Sequence, residues 1–310
     1  MNAQAKPSPK PGKKNAQPPR KSGGMAFNLI ILCMLVAFIC VFQNQTAKVN
    51  REDSRNIEEA HLNGYNIDEI YPHYDTPPGT PVLNIMFIGN SYTFVNNMPF
   101  MIQAVAASDS AGPVVINPVL FTKPSATLKQ LWSLPGGQEK LASQRWDYVV
   151  LQDMSVLPSS PYGVGEMHEG ITSWAAAVKA TGARIMLYET WARRAGSDWY
   201  NKQKYPDLDL VSPAVMQEKV DEAYNTFASE IGAALVPVGD YWAMCEDQPG
   251  APDFYNRDGT HPNFAGDYLV ALLFYRALTG HKPDHVAYVA PGLTPEQAAL
   301  IKKCASYGGS

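Results

Sequence analysis

The sequence predicts an α/β fold, a parallel sheet covered by helices on both faces, and three observations carry that prediction. From Val82 onward short apolar runs rich in β-formers alternate with longer amphipathic stretches. The chain has 310 residues, 45% of them hydrophobic, enough to bury a sizeable core in one globular domain with appendages. No internal repeat interrupts the pattern. Five strands are expected, Val82 to Ile88, Val114 to Leu120, Asp147 to Leu151, Arg184 to Tyr188 and Ala234 to Val238. Between and after them the spacing predicts helices over 98–108, 164–180, 213–231 and 264–278. Pro213 after Ser212 suits a first helical turn, and a last helix is expected from Thr294, where Thr294 and Gln297 have capping-box spacing around Pro295.

The residues before Val82 read differently. Residues 1–24 are rich in Pro, Lys, Gly and Gln and bury too little to offset the entropy of ordering, so they are expected to be a disordered head. Lys6, Lys10, Lys13, Lys14, Arg20 and Lys21 lie there, and no acid precedes Glu52. The formal net charge of -4 therefore conceals an acidic body behind a basic head, a poor match for nucleic acid. An uncharged apolar run follows, and residues 25–43 are expected to anchor the chain in a membrane, with the basic head cytoplasmic and the remainder periplasmic or otherwise extracytoplasmic. A cleaved signal peptide is the competing reading, disfavoured by the length of the run and by Gln45 where a small residue is wanted. Residues 44–80 end in Asp75-Thr-Pro-Pro-Gly-Thr-Pro81 and read as a stalk, leaving 81–310 as the folded domain. Outside the span only Cys245 and Cys304 remain, in a compartment that permits a disulfide; pairing and two separately buried thiols are both open. No spacing of Cys, His and acids resembles a metal site, and no cofactor is expected.

The chemistry-bearing residues lie at two places. Gly89-Asn90-Ser91-Tyr92-Thr93 follows the first strand directly, so Ser91 stands at a strand's carboxyl end, the edge of an open α/β sheet where ligands bind. Asn90 and Ser91 are also common turn formers. A serine hydroxyl needs a base to become a nucleophile. Asp258-Gly-Thr-His261-Pro262 supplies one: the carboxylate can accept from one ring nitrogen while the other faces the serine, and the segment falls at the same sheet edge. Ser91, His261 and Asp258 are thus the expected catalytic triad.

Gly89-Asn90-Ser91 resembles the Gly-Asp-Ser block of the SGNH/GDSL hydrolases, in its Gly-Asn-Ser variant, and Asp258-x-x-His261 resembles their last block. The first block is similar to the subgroup that reads Gly-Asn-Ser-[Phe/Tyr]-Thr and carries Leu-Gln after its third strand. The resemblance implies a flavodoxin-like three-layer α/β/α sandwich, a serine esterase mechanism, and an oxyanion hole made of the nucleophile's own N–H, a glycine N–H and an asparagine side chain. Here Gln152 stands in the asparagine's place, either as that donor or as an amide capping its loop. Lys123-Pro124-Ser125-Ala126-Thr127 contains no glycine, so a backbone N–H of Ser125 or Ala126 is expected to replace it.

Asn90 and Trp191 are the expected substrate-binding residues. Trp191 follows the fourth strand and either walls the substrate or packs beneath the loop, and 192–210 reads as a lid carrying Trp199 and Tyr200. His168, His281 and His285 read as surface histidines. The expected reaction is hydrolysis of a small ester, acetyl foremost, on a carbohydrate or envelope glycan. A lipid esterase or thioesterase, an acyltransferase, and a non-catalytic glycan-binding or partner-binding protein are the alternatives.

Overall fold

The computed structural model describes residues 70–307. Five parallel strands form the sheet: β1 (Val82–Gly89), β2 (Val115–Thr122), β3 (Tyr148–Leu151), β4 (Arg184–Glu189) and β5 (Ala234–Pro237), in the order β2-β1-β3-β4-β5. The strands match the expected ones to within two residues at either end. Side chains alternate across a strand, and β1 shows what that means for a sheet covered on both sides. Ile85 and Phe87 enter one core while Met86 and Ile88 enter the other, all four without exposure.

The first core is closed by α2 (Met98–Ala107), α7 (Val238–Glu246), α8 (Phe264–Thr279) and α9 (Pro295–Ser306). The second is closed by α3 (Leu128–Trp132), α4 (Gly137–Ala142), α5 (Pro161–Thr181) and α6 (Pro213–Ile231). A four-residue helix, α1 (Ser91–Phe94), leads from β1 towards α2. Three helices start with the same device: Ser160, Ser212 and Thr294 accept a hydrogen bond from an N–H of the first turn, each followed by a proline whose missing N–H costs nothing there. Thr294 and Gln297 form the expected capping box. Helices α1, α3, α4 and α7 are not among the expected ones, being short or, for α7, starting at Val238-Gly239 with no sequence cap. The α7 start is set instead by tertiary contact, since the Gly239 N–H donates to Glu189 Oε1 at 3.1 Å.

β1 is the switch strand of this order: the chain leaves it towards β2 on one side and reaches β3 on the other, which opens a crevice at its carboxyl end. Ser91 lies at that crevice.

Two expectations of the amino-terminal reading meet the described residues. Ile70 and Tyr71, assigned to the stalk by composition, pack on the domain: Ile70 is buried, and Tyr71 stacks on Tyr288 and donates to the Asn96 carbonyl. The folded part therefore begins before Pro81. Among the described residues no helix is long and apolar enough to cross a membrane; the head 1–24 and the span 25–43 lie outside them.

Cys245 of α7 and Cys304 of α9 are joined in a disulfide. It closes a loop between positions 59 apart, for which the chain-entropy relation gives about 4 kcal/mol of stabilisation. Replacing both cysteines with serine is expected to lower Tm by roughly 10 °C, measured by scanning calorimetry. An unchanged Tm would show that the cross-link constrains nothing in the unfolded chain.

Candidate active site

Asn90 shapes the turn that presents Ser91. Its N–H donates to Gln152 Oε1 (2.9 Å), its side-chain amide donates to the Ala126 carbonyl (3.1 Å), and its Oδ1 accepts from the Tyr92 N–H (3.2 Å). Gly89 is required here for space: a Cβ would come within 2.5 Å of both Gln152 Oε1 and Thr93 Oγ1. Ser91 opens α1, so its own N–H has no acceptor within the helix.

Its partner arrives from 170 residues away. His261 Nε2 lies 2.9 Å from Ser91 Oγ, and His261 Nδ1 lies 2.6 Å from Asp258 Oδ2. The other carboxylate oxygen of Asp258 accepts from the N–H groups of Thr260 (2.8 Å) and His261 (2.9 Å). Burial pushes this carboxyl up, but the bonds from the His261 ring and the two N–H groups outweigh burial, and it is held below the usual carboxylate range. Asp258 is thus ionised wherever the imidazole needs an acceptor.

The two loops are held in register by their neighbours. Tyr92 Oη lies 2.6 Å from Thr260 Oγ1, Trp191 Nε1 donates to the Thr260 carbonyl (3.1 Å), and Asn96 Nδ2 donates to both the Pro262 carbonyl (3.1 Å) and Asp267 (2.7 Å). Asn96 and Asn97 take left-handed backbone angles, φ 49° and 52°, which asparagine tolerates better than most residues. Residues on both sides of His261 are therefore tied directly to residues that follow Ser91.

Ser91 and His261 stand in an open cleft of about 170 Å³. Ser125, Ser155, Arg193, Trp199 and Thr260 line it as well. The Arg193 guanidinium donates to Thr260 Oγ1 at 2.7 Å and lies 4.8 Å from the Trp199 ring centre. Ser125 has φ 55°, the left-handed conformation a glycine takes without strain, and its N–H has no acceptor among the described residues.

No protein-family model and no curated protein matches the sequence. Solved structures do. A protein of Slackia heliotrinireducens assigned to the SGNH hydrolases aligns with TM-score 0.51 and 29% identity, covering 64% of this chain and 99% of its own. A DUF4886 family protein from Bacteroides uniformis aligns with TM-score 0.58 and 16% identity, covering 72% and 93%, a likeness of fold alone. The chain resembles the SGNH hydrolases in sequence and fold. Its sheet order is the flavodoxin-like one the resemblance implied.

Against the SGNH pattern, the structure corrects three assignments. Gln152 is not placed as an oxyanion donor. Its Oε1 accepts from Asn90 N–H and Thr93 Oγ1, its amide nitrogen donates to the Asp153 carbonyl, and it is fully buried. A backbone N–H can only donate and a carbonyl can only accept, so the amide's orientation is fixed, and Gln152 is not among the residues that line the cleft. Ala126 N–H is committed to the Lys123 carbonyl (3.3 Å), which leaves Ser125 as the loop's cleft-facing residue. Trp191 walls nothing: it is fully buried, stacked between Tyr92 (4.6 Å) and Trp242 (4.1 Å). Asn90 does line the cleft, but its amide is spent on the turn.

Sequence reasoning assigns no role of their own to Tyr92, Thr260 or Arg193 of this cleft. Tyr92 and Thr260 each adjoin a triad residue, and that adjacency is the signal that could have found them. Arg193 follows Trp191 by two positions, with no pattern to mark it. His168 pairs with Glu230 (2.9 Å) and His281 with Asp109 (3.6 Å); like His285, neither lines the cleft.

The carboxylates of Glu189, Asp221 and Asp240 lie within 4.8 Å of one another, the group among the described residues spaced to share a cation. They come from β4, α6 and α7, so no sequence spacing announces them. Burial, and then the two neighbouring acids, push Glu189 up to about 9. A proton held on Glu189 relieves the same repulsion a cation would.

These contacts make Gln152 and Glu189 the residues to vary. Q152A leaves the Asn90 N–H and the Asp153 carbonyl unpaired in the interior, at about 1–3 kcal/mol each. It is expected to lower Tm as well as activity, whereas loss of an oxyanion donor would lower kcat with Tm intact. Glu189 binds a proton in the fold that the unfolded chain has released, so its contribution to stability falls as pH rises from about 4.5 towards 9. E189Q is expected to raise Tm by at least about 2 °C at pH 8, with the gain vanishing near pH 4; a gain equal at both pH values would sink this reading.

Proposed function

We propose that the chain is a serine esterase that hydrolyses a small acyl ester, acetyl foremost, on a glycan. The observation that carries the reading is the continuous line Ser91 Oγ, His261 Nε2, His261 Nδ1, Asp258 Oδ2, with its serine end in the cleft. His261 takes the Ser91 proton as the hydroxyl attacks the ester carbonyl, and Asp258 fixes the ring's tautomer and stabilises the imidazolium. The N–H groups of Ser91 and Ser125, one unpaired by helix position and the other without an acceptor, receive the developing oxyanion. His261 then protonates the leaving alcohol, and water, deprotonated by the same ring, releases the acid from the serine.

Cleft size supports a short acyl group. Its 170 Å³ lies below the roughly 300–1,000 Å³ of sites that enclose drug-sized ligands, and most of its lining residues are polar. We place this activity outside the cytoplasm on a membrane-anchored chain, a reading supported by the basic head, the apolar run and the Cys245–Cys304 bond.

Chromogenic esters from acetyl to octanoyl test the reading with the whole chain. The rate is expected to peak at acetyl, and S91A is expected to lose at least about 1,000-fold in kcat. A long-chain optimum would move the substrate to lipids, and an active S91A protein would remove the mechanism.

A further inference from the structure

Arg193 is a cation without an anion. Among the residues that line the cleft it alone carries a permanent charge, in a chain whose net charge is -4. The neighbouring Arg194 pairs with Asp253, but no carboxylate among the described residues lies within ion-pair distance of Arg193. Its protein contacts are one hydrogen bond to Thr260 Oγ1 and the face of Trp199; its Nε is buried with no acceptor at all.

The group is also held in place. Trp199 stacks on Tyr205 (4.6 Å between ring centres, 5° between planes), and Tyr200 Oη donates to the Arg193 carbonyl at 2.6 Å. The Arg193 side chain is only partly buried, but its charge has no counter-charge among the described residues. A planar anion accepting from its outer N–H groups would supply that counter-charge. Thr260, its one hydrogen-bond partner, is the residue before the base, so the cation lies on the His261 side of the cleft. In the proposed reaction His261 protonates the leaving alcohol, which puts that side with the alcohol portion of the ester.

We propose that Arg193 is a specificity determinant for a carboxylate carried on the alcohol portion of the ester, making the substrate class an acylated acidic sugar. This rests on the esterase reading and names the substrate of that site. Carboxylate is preferred to phosphate because one guanidinium matches one carboxylate with two parallel hydrogen bonds, whereas a phosphate dianion would call for a second cation the cleft does not provide.

The test compares the whole protein on mono-acetylated methyl glucuronoside, its neutral glucoside counterpart and the glucoside 6-phosphate. The expected result is a kcat/KM ~10-fold or more higher for the uronate than for the glucoside, carried mainly in KM, with the preference lost in R193Q and partly kept in R193K. Calorimetric titration of S91A protein with methyl glucuronoside and methyl glucoside reads the same contact without catalysis. The uronoside is expected to bind ~10-fold tighter, and R193Q in the S91A background to abolish the difference. Equal kcat/KM for uronate and glucoside, equal losses on both in R193Q, or preference for the phosphate would overturn the carboxylate subsite and leave the esterase standing. Hydrolysis independent of Ser91 would overturn the esterase instead, and the titration alone would then decide the subsite.

Discussion

Three aromatic rings in one stack, Tyr92 on Trp191 on Trp242, hold Ser91 and His261 at their distance. The rings come from α1, the loop after β4 and α7, and each is buried. Tyr92 and Trp191 also reach the loop that carries His261, through the hydroxyl and the carbonyl of Thr260. Large rigid rings lose little conformational entropy for the area they bury, so a stack of this kind fixes two helices and two loops at once. Without it, Ser91 and His261 would sit on independent turns, and a shift of about 1 Å is enough to spoil their geometry.

Neutral polar groups do most of the positioning around this stack. Gln152, Asn90 and Asn96 each bond groups of fixed polarity, and the buried acids beside them lean towards the protonated form. Burial pushes Asp153 up to about 7 and Asp267 well above the usual carboxylate range, and each keeps one oxygen without a partner. Charges kept in such an interior would need close counter-ions to offset their desolvation. The ion pairs that do form, such as Lys129 with Glu169 and Lys204 with Asp198, lie at the surface, where their contribution is small. At the cleft, charge is carried by Arg193 and, beside it, by Asp258, which is held ionised.

Much of the fold and the heart of the site are legible in the order of the residues. The five strands are legible because strands covered on both faces must be apolar along their length, and helices α6 and α9 because Ser-Pro and Thr-Pro starts announce themselves locally. Ser91, Asp258 and His261 are legible for a related reason: a residue's place at a strand's carboxyl end follows from counting elements. The roles of Gln152 and Trp191 are not legible in this way, because both depend on which way a side chain turns. An amide and an indole suit a pocket or a core equally well, and only their neighbours decide.

The sequence by itself determined the order of the elements, the sheet edge at which the chemistry sits and the residue types available there, all consequences of local pattern and chain connectivity. Tertiary structure alone decided that Cys245 meets Cys304, that Glu189, Asp221 and Asp240 crowd together, that Ser125 takes a glycine's backbone angles, and that Arg193 enters the cleft unpaired. These are meetings of side chains from separate elements, or a backbone angle imposed by such packing. Neither leaves a trace in the spacing of residues, because nothing along the chain encodes which faces of two distant helices or loops will be pressed together.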